Sequence, residues 1–350
     1  MPKRAIILSV LLVGLAGLVL VKHGPGLWGL ATATPRAEDA PGQDFNLGRP
    51  AGEGFSQVRR HGSVDLAQAY DLSGLTLPEG DIHTLLPSDA IPALTDPATA
   101  PLDQAQELGD SDRVVYAQID GQTLAVPLAI LDYHEVVNAT LAGQPIALTY
   151  CPLCDSATVF SRRVTPEGGP PIVLEFGVSG ALYNSNVLFF DRTHNGLWSQ
   201  LAMQAVSGPL AGTPLEMLPA RLTTVQQLRQ THPDARIVTT DTGHHRPYDH
   251  SPYGRYFDDP VLMVPVREFG DALPAKTLGI GVALDGQAWF VPAEAVNPDY
   301  HLDTPDGPVV ITRDGNALAV ETAPPGVHSA QTFYYAWSAF YPHTRVIQPQ

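Results

Sequence analysis

The sequence predicts an α+β, strand-rich body of two unequal related halves behind an N-terminal membrane anchor. Three observations carry that expectation. Glycine and proline number 31 and 33 among 350 residues, too many for a long helical array, while 44% hydrophobic residues exclude disorder throughout. From Val114 onward, short β-branched and aromatic runs recur between Gly, Pro and Asn turns. Finally, two pairs of strings match. VVYAQIDGQTLAVP (114–127) resembles LGIGVALDGQAWFVP (278–292), and TTVQQLRQTHPDARIV (223–238) resembles FYYAWSAFYPHTRVI (333–347). The offsets are 165 and 109, so the later copy is shorter and lacks the middle of the first.

The chain opens with Lys3-Arg4 and the uncharged apolar run AIILSVLLVGLAGLVLV, residues 5–21. That length and its basic flank predict a signal anchor or signal peptide over 1–22, with the body exported. Ala31-Thr32-Ala33 fits a cleavage site, which keeps the cleaved alternative open. Residues 23–64 have no sustained period and read as a tether. Prolines at 78, 87, 92, 97 and 101 predict extended chain and turns over 66–102, followed by a short helix over 102–108. VVYAQID and TLAVPLAIL predict two strands around Gly121-Gln122, then a helical turn over 131–137 and a strand QPIALTY. ATVFSRRV, PIVLEFGV and NVLFFDR predict three more strands. Thr223 is placed to cap a helix TVQQLRQ that ends at His232-Pro233. The domain reading is a main unit over 65–270 and a shorter second repeat over 271–350. The aromatic segment 333–340 is expected to pack on the first copy and to serve stability alone.

Charge narrows the function classes. Against 20 Lys and Arg stand 36 Asp and Glu, a net charge of −16. Such a body repels phosphate backbones, so no nucleic-acid partner is expected. The expected partners are the membrane, through the N-terminal helix, and a small ligand or metal ion. The sharpest motif is Tyr150-Cys151-Pro152-Leu153-Cys154, which contains both cysteines of the chain. Two cysteines at this spacing can close a disulfide or offer two thiolates to one metal. No helical stripe follows the motif, against a thioredoxin fold, and no second pair exists for a zinc ribbon. His134, 17 positions earlier in LDYHEVVN, is the best third ligand for a soft metal, copper or zinc. A structural clamp, a metal site and a working thiol pair all remain open on spacing alone. Phe176-Gly177-Val178-Ser179-Gly180-Ala181 misses the nucleophile elbow by its last residue, against a serine hydrolase.

TYCPLCDSATVF, LEFGVSGALYNSNVLFFDR, LWSQ and DTGHHRPYDHSPYGRYF together resemble the prokaryotic domain-of-unknown-function family 3179. Its Cys-Pro-Leu-Cys, Phe-Gly-Val-Ser-Gly and Leu-Trp-Ser-Gln motifs are intact here. Tyr133 stands where members usually have Trp, and Asp155 where they commonly have Gly. The resemblance implies no established reaction. It does imply that His134, Cys151, Cys154, Ser179, Tyr183, Asn184, Arg192 and Trp198 converge on one site. The functional expectation is a Cys/Cys/His site that binds a soft metal or performs thiol redox chemistry. The competing expectation is a non-catalytic ligand-binding module with a structural disulfide.

Overall fold

The computed structural model describes residues 65–348. The anchor over 1–22 and the tether over 23–64 lie outside the described residues. The short strands β1 (Ile82–Thr84), β2 (Leu94–Thr95) and β3 (Thr99–Pro101) precede the hairpin β4 (Arg113–Ile119) and β5 (Gln122–Pro127). The helix Leu128–His134 leads into a meander, β6 (Val136–Leu141), β7 (Gln144–Cys151) and β8 (Ser156–Ser161). A ribbon, β9 (Arg163–Val164) and β10 (Ile172–Val173), precedes β11 (Phe176–Tyr183), β12 (Asn186–Asp191), β13 (Leu197–Ser199) and β14 (Gln204–Ala205). β15 (Met217–Leu218), β16 (Ala220–Thr224), the helix Val225–Thr231 and β17 (Arg236–Val238) return to the earlier sheets. After a long connection come β18 (Leu278–Leu284), β19 (Gln287–Pro292), β20 (Asp299–Thr304), β21 (Gly307–Asp314) and β22 (Ala317–Thr322). β23 (His328–Phe333), the helix Tyr334–Phe340 and β24 (Arg345–Val346) complete the chain.

Five sheets result. In spatial order they are β16-β4-β5-β17-β3, β15-β8-β7-β6-β2, β1-β11-β12-β13-β14, β23-β18-β19-β24 and β20-β21-β22. They are arranged as a five-bladed β-propeller, with 42% strand and 13% helix. The α+β expectation is thereby corrected. The helical patterns in the sequence are connectors of at most seven residues, too short to form a layer of their own. Among the described residues no helix is long and apolar enough to cross a membrane. Thr224, one residue beyond the expected cap, caps the helix Val225–Thr231. The helix expected over 102–108 shrinks to a 3-10 turn, Leu102–Gln104.

The matching strings occupy matching places. β4-β5 and β18-β19 are antiparallel hairpins, each closed by Asp-Gly with both residues at positive φ. Such turns match the strand twist and favour these residue types. β16 adds antiparallel to β4 as β23 does to β18, and each is followed by a short helix. The closing strands β17 and β24 then pair parallel with β5 and β19. The meanders β6-β7-β8 and β20-β21-β22 also correspond in order and direction. The related units are thus pairs of propeller blades, not halves of an α+β body. The later pair lacks the β1-β11-β12-β13-β14 blade, and residues 299–322 form a blade of their own rather than missing the whole middle.

Around the axis, β16 lies against β22, β22 against β23, β23 against β8 and β8 against β16. The third blade packs through β11 on β6, and Phe160, Phe176, Phe189 and Trp198 fill the space between. The helix Tyr334–Phe340 docks on β18, where a Cβ on Gly281 would lie 2.0 Å from the Trp337 ring. Only glycine permits that approach.

Candidate functional site

The β7–β8 connection is the chemical centre. Cys151 pairs with Ser156 at the end of the hairpin, and Cys154 N–H donates to Cys151 C=O at 3.2 Å. Pro152 sits at the second turn position, where its fixed φ is favoured. Asp155 follows at φ 48, in the left-handed region. This explains the Gly that the family commonly has here. Asp155 takes the strained position and is held there, by Arg113 at 2.9 Å and by the Tyr150 hydroxyl at 2.9 Å.

The turn brings the two unbonded sulfurs to 3.2 Å, both buried. Facing them is the β11–β12 turn, Asn184-Ser185, two successive non-Gly residues at positive φ. Its Ser185 carbonyl accepts from Cys154 Sγ at 3.2 Å and from Cys151 Sγ at 3.7 Å. Asn186 Nδ2 reaches Cys154 Sγ at 3.5 Å and Gln200 Oε1 at 2.8 Å. From the fourth blade, Tyr335 hydroxyl donates to Leu153 C=O at 2.8 Å and lies 3.6 Å from Cys154 Sγ. Phe333 N–H and Thr332 hydroxyl both donate to Cys154 C=O. The aromatic C-terminal segment was expected to serve stability alone; it also forms part of the sulfur site.

Acidic groups border the thiols. Glu135, the residue that follows and caps the helix Leu128–His134, has φ 54 and is buried. Tyr150 N–H donates to its carbonyl at 2.8 Å, which sets Glu135 beside the strand end that carries Cys151. Burial pushes the Glu135 carboxyl well up, and the neighbouring Cys151 and Asp132 push the same way. Asp132 is raised to about 7, chiefly by burial. The Cys151 thiol is likewise raised by burial and then by Cys154.

His134 does not join the sulfurs. Its Nδ1 contacts Pro92 C=O and its Nε2 the Tyr248 hydroxyl, both at 2.7 Å. Burial lowers its pKa to about 4. Among the described residues no group of three or more His, Cys, Asp or Glu is placed to hold a metal ion, so the Cys151/Cys154/His134 triad is not assembled. Instead, His134 anchors the connection between β17 and β18, in which Tyr256 hydroxyl reaches Leu153 C=O at 3.0 Å. That connection places Tyr256, Met263, Val264 and Val266 in the hydrophobic cluster that contains both cysteines.

The remaining expected residues scatter. Ser179 lies in a bulge of β11, its hydroxyl bonded to Leu188 C=O and to Ala181 N–H. A Cβ on the adjoining Gly180, at φ 69, would lie 2.2 Å from Leu86 O, so this motif is a packing device. Tyr183 is half-buried with its ring edge on Phe340. Asn184 ties its turn to Ala339 C=O and Arg267 N–H, each at 3.3 Å. Arg192 is a surface group bidentate to Asp89 at 2.8 Å. Trp198 is core, its Nε1 donating to Asp191 at 3.0 Å. Convergence therefore holds for Cys151, Cys154 and the turn bearing Asn184, and fails for His134, Arg192 and Trp198. Glu135, Asn186, Gln200 and Tyr335 were not singled out. Three of them lie inside the quoted motifs, beside the residues chosen.

The architecture and site define a propeller with a buried vicinal thiol pair under an aromatic cover. The model of the family described as "Protein of unknown function (DUF3179)" matches residues 88–326, more than half of the chain. The chain belongs to that family. No curated protein and no solved structure matches it.

Proposed function

We propose that the Cys151–Cys154 pair cycles between dithiol and disulfide, with Glu135 moving the Cys151 proton. The observation that carries this is the 3.2 Å sulfur separation beside a buried carboxyl. Vicinal thiols so close need only a small rotation to bond. In the oxidising direction Glu135 takes the Cys151 proton and the thiolate attacks an incoming disulfide. A mixed disulfide forms and one thiolate leaves, protonated by Glu135. Cys154 then attacks Cys151 Sγ, forming the internal bond and expelling the second thiolate, which takes up the proton that Cys154 gives up. Two electrons pass to the incoming disulfide, which becomes two thiols. Because both sulfurs are buried, the β17–β18 connection has to lift before exchange. Export of the body, membrane attachment through residues 1–22 and a small thiol or disulfide partner belong to the same proposal.

Burial of both sulfurs favours a second reading, a clamp within a non-catalytic binding module. A disulfide closing so short a loop contributes only about 2 kcal/mol on the chain-entropy view. Redox titration of the folded chain against dithiothreitol buffers separates the two. The expected result is one reversible two-electron transition, lost in Cys151→Ser and Cys154→Ser. Glu135→Gln should slow oxidation by about a hundredfold with the fold intact. Thiols that react only after unfolding, or a disulfide resistant to reductant in the native state, would leave the clamp.

A further inference from the structure

We propose that Asn186 and Tyr335 are catalytic donors to Cys154, stabilising its sulfur as the thiolate that forms and breaks the internal bond. The assignment rests on the thiol–disulfide reading above. Both side chains reach the reacting atom: Asn186 Nδ2 lies 3.5 Å from Cys154 Sγ and Tyr335 Oη 3.6 Å. A buried network aims the amide. Asn186 Oδ1 accepts from Leu201 N–H at 3.3 Å, which fixes the amide orientation. One Nδ2 hydrogen goes to Gln200 Oε1 at 2.8 Å, which leaves the other for the sulfur. Ser156 Oγ, also 3.5 Å from Nδ2, gives its own hydrogen to Gln200 Oε1 at 2.7 Å. Gln200 is pinned in turn, its Nε2 donating to Ser156 C=O at 3.2 Å and to Thr149 Oγ1 at 3.0 Å. Asn186, Gln200, Ser156 and Thr149 are all fully buried. A donor held in this way needs no reorganisation when charge develops on its acceptor. The Leu197-Trp198-Ser199-Gln200 motif thereby gains a task, since its last residue aims Asn186.

The two sulfurs are served differently. Cys151 has the main-chain N–H groups of Cys154 and Val187 and, beside it, the Glu135 carboxyl. The side-chain amide and the phenol go to Cys154. This division matches the two steps. In the resolving step the Cys154 electron pair bonds to Cys151 Sγ and the bond from Cys151 to the partner sulfur breaks. The partner leaves with that bond's electron pair and takes up the proton of Cys154. In reverse, a partner thiolate attacks Cys151 Sγ and Cys154 leaves with the electron pair of the internal bond. In both directions negative charge appears on Cys154, in a buried site where an unbonded anion is costly and a charge-assisted hydrogen bond is strong. Burial and the neighbouring Cys154 push the Tyr335 phenol well up, so it keeps its proton and donates. Leu153 C=O accepts from Tyr335 Oη at 2.8 Å and from Tyr256 Oη at 3.0 Å, so it stays bonded when Tyr335 turns to the sulfur.

Quench-flow oxidation of the reduced full chain by bis(2-hydroxyethyl) disulfide, read by intact mass after acid trapping, separates formation of the mixed disulfide from its resolution. Asn186→Leu and Tyr335→Phe should leave the first step unslowed and slow the second by about tenfold each, the value of one hydrogen bond to a charged acceptor. Tyr335→Phe keeps the ring and leaves Leu153 C=O bonded to Tyr256, so the test stands if Asn186→Leu does not fold. Cys154→Ser should accumulate the mixed disulfide on Cys151. A second step unchanged in both variants overturns the assignment while the thiol–disulfide reading survives. Equal slowing of both steps, which a purely structural role would give, overturns it too. A wild type that never forms the internal disulfide in the native state overturns that reading and this assignment together.

Discussion

The second and fifth blades share one three-stranded meander, yet they end in different chemistry. In the second, β7 is buried over its last six residues and runs into a four-residue turn, Pro152–Asp155. In the fifth, β21 runs into Asp314-Gly315-Asn316, which is fully exposed. The strands themselves do not make the site. The thiol turn becomes one because the Asn184-Ser185 turn of the third blade and Tyr335 of the fourth close over it. The fifth blade has no blade stacked on its meander in that way, and its turn stays a turn. Chemistry here comes from what packs on a repeated scaffold, which places the inserted third blade at the origin of the difference.

The largest expected effect loosens the helix that carries Tyr335. Trp337 is fully buried, stacks on Tyr341 at 4.1 Å and donates to Thr344 at 3.0 Å. Trp337→Ala should cost about 3–5 kcal/mol in urea unfolding, as large-to-small core changes do. It should also speed alkylation of the thiols in the native state. The matching control is Asn316→Ala in the exposed turn, expected within about 0.5 kcal/mol of wild type. If the two variants prove equally stable, the contrast between the blades fails.

A smaller effect breaks the thiol turn from below. Arg113→Ala leaves the buried Asp155 carboxylate without its cation and should cost about 3 kcal/mol. Adding Asp155→Gly removes that charge and places at φ 48 the residue best suited to it. The double variant should therefore recover most of the loss. A double variant as unstable as the single one would mean that Asp155 contributes packing rather than a charge needing a partner.

The repeat was legible because Asp-Gly turns and the paired prolines are local, turn-type constraints that leave a string in the sequence. The class was not. The helical segments expected over 102–108, 131–137 and TVQQLRQ pointed to a helical component, but they are a 3-10 turn and two seven-residue connectors between strands. The cysteine pair was legible from spacing. Its surroundings were less so, since Tyr335 lies more than 180 positions beyond Leu153 in sequence and meets it only through blade packing. His134 misled for a chemical reason. A histidine near a cysteine pair is a plausible ligand by type, whereas its actual partners, Pro92 C=O and the Tyr248 hydroxyl, carry no motif. The adjacent Glu135 was passed over because a lone carboxylate has no signature until burial gives it one.

The smallest expected effect concerns the helix that carries these acids, which has no ionisable counterpart in the η-turn Ala293–Ala295 of the fourth blade apart from Glu294. Burial raises Asp132 to about 7 from 3.8, and raises Glu135 above 4.5. The folded state therefore keeps protons that the unfolded chain releases, so both groups make stability fall as pH rises through that window. Burial lowers His134 from 6.5 to about 4. There the unfolded chain binds the extra proton, so this group makes stability rise between about pH 4 and 6.5. Asp132 and Glu135 both oppose His134, so the net effect of the three is a fall of stability with rising pH. Asp132→Asn removes one acid and leaves Glu135 and His134 opposed. Relative to wild type, its urea midpoint should therefore climb steadily between pH 4.5 and 6.5. His134→Gln should do the reverse and steepen the fall. Parallel pH profiles for Asp132→Asn and wild type would show that the Asp132 carboxyl titrates alike in the folded and unfolded chains, and would remove the electrostatic part of the contrast between the two blade pairs.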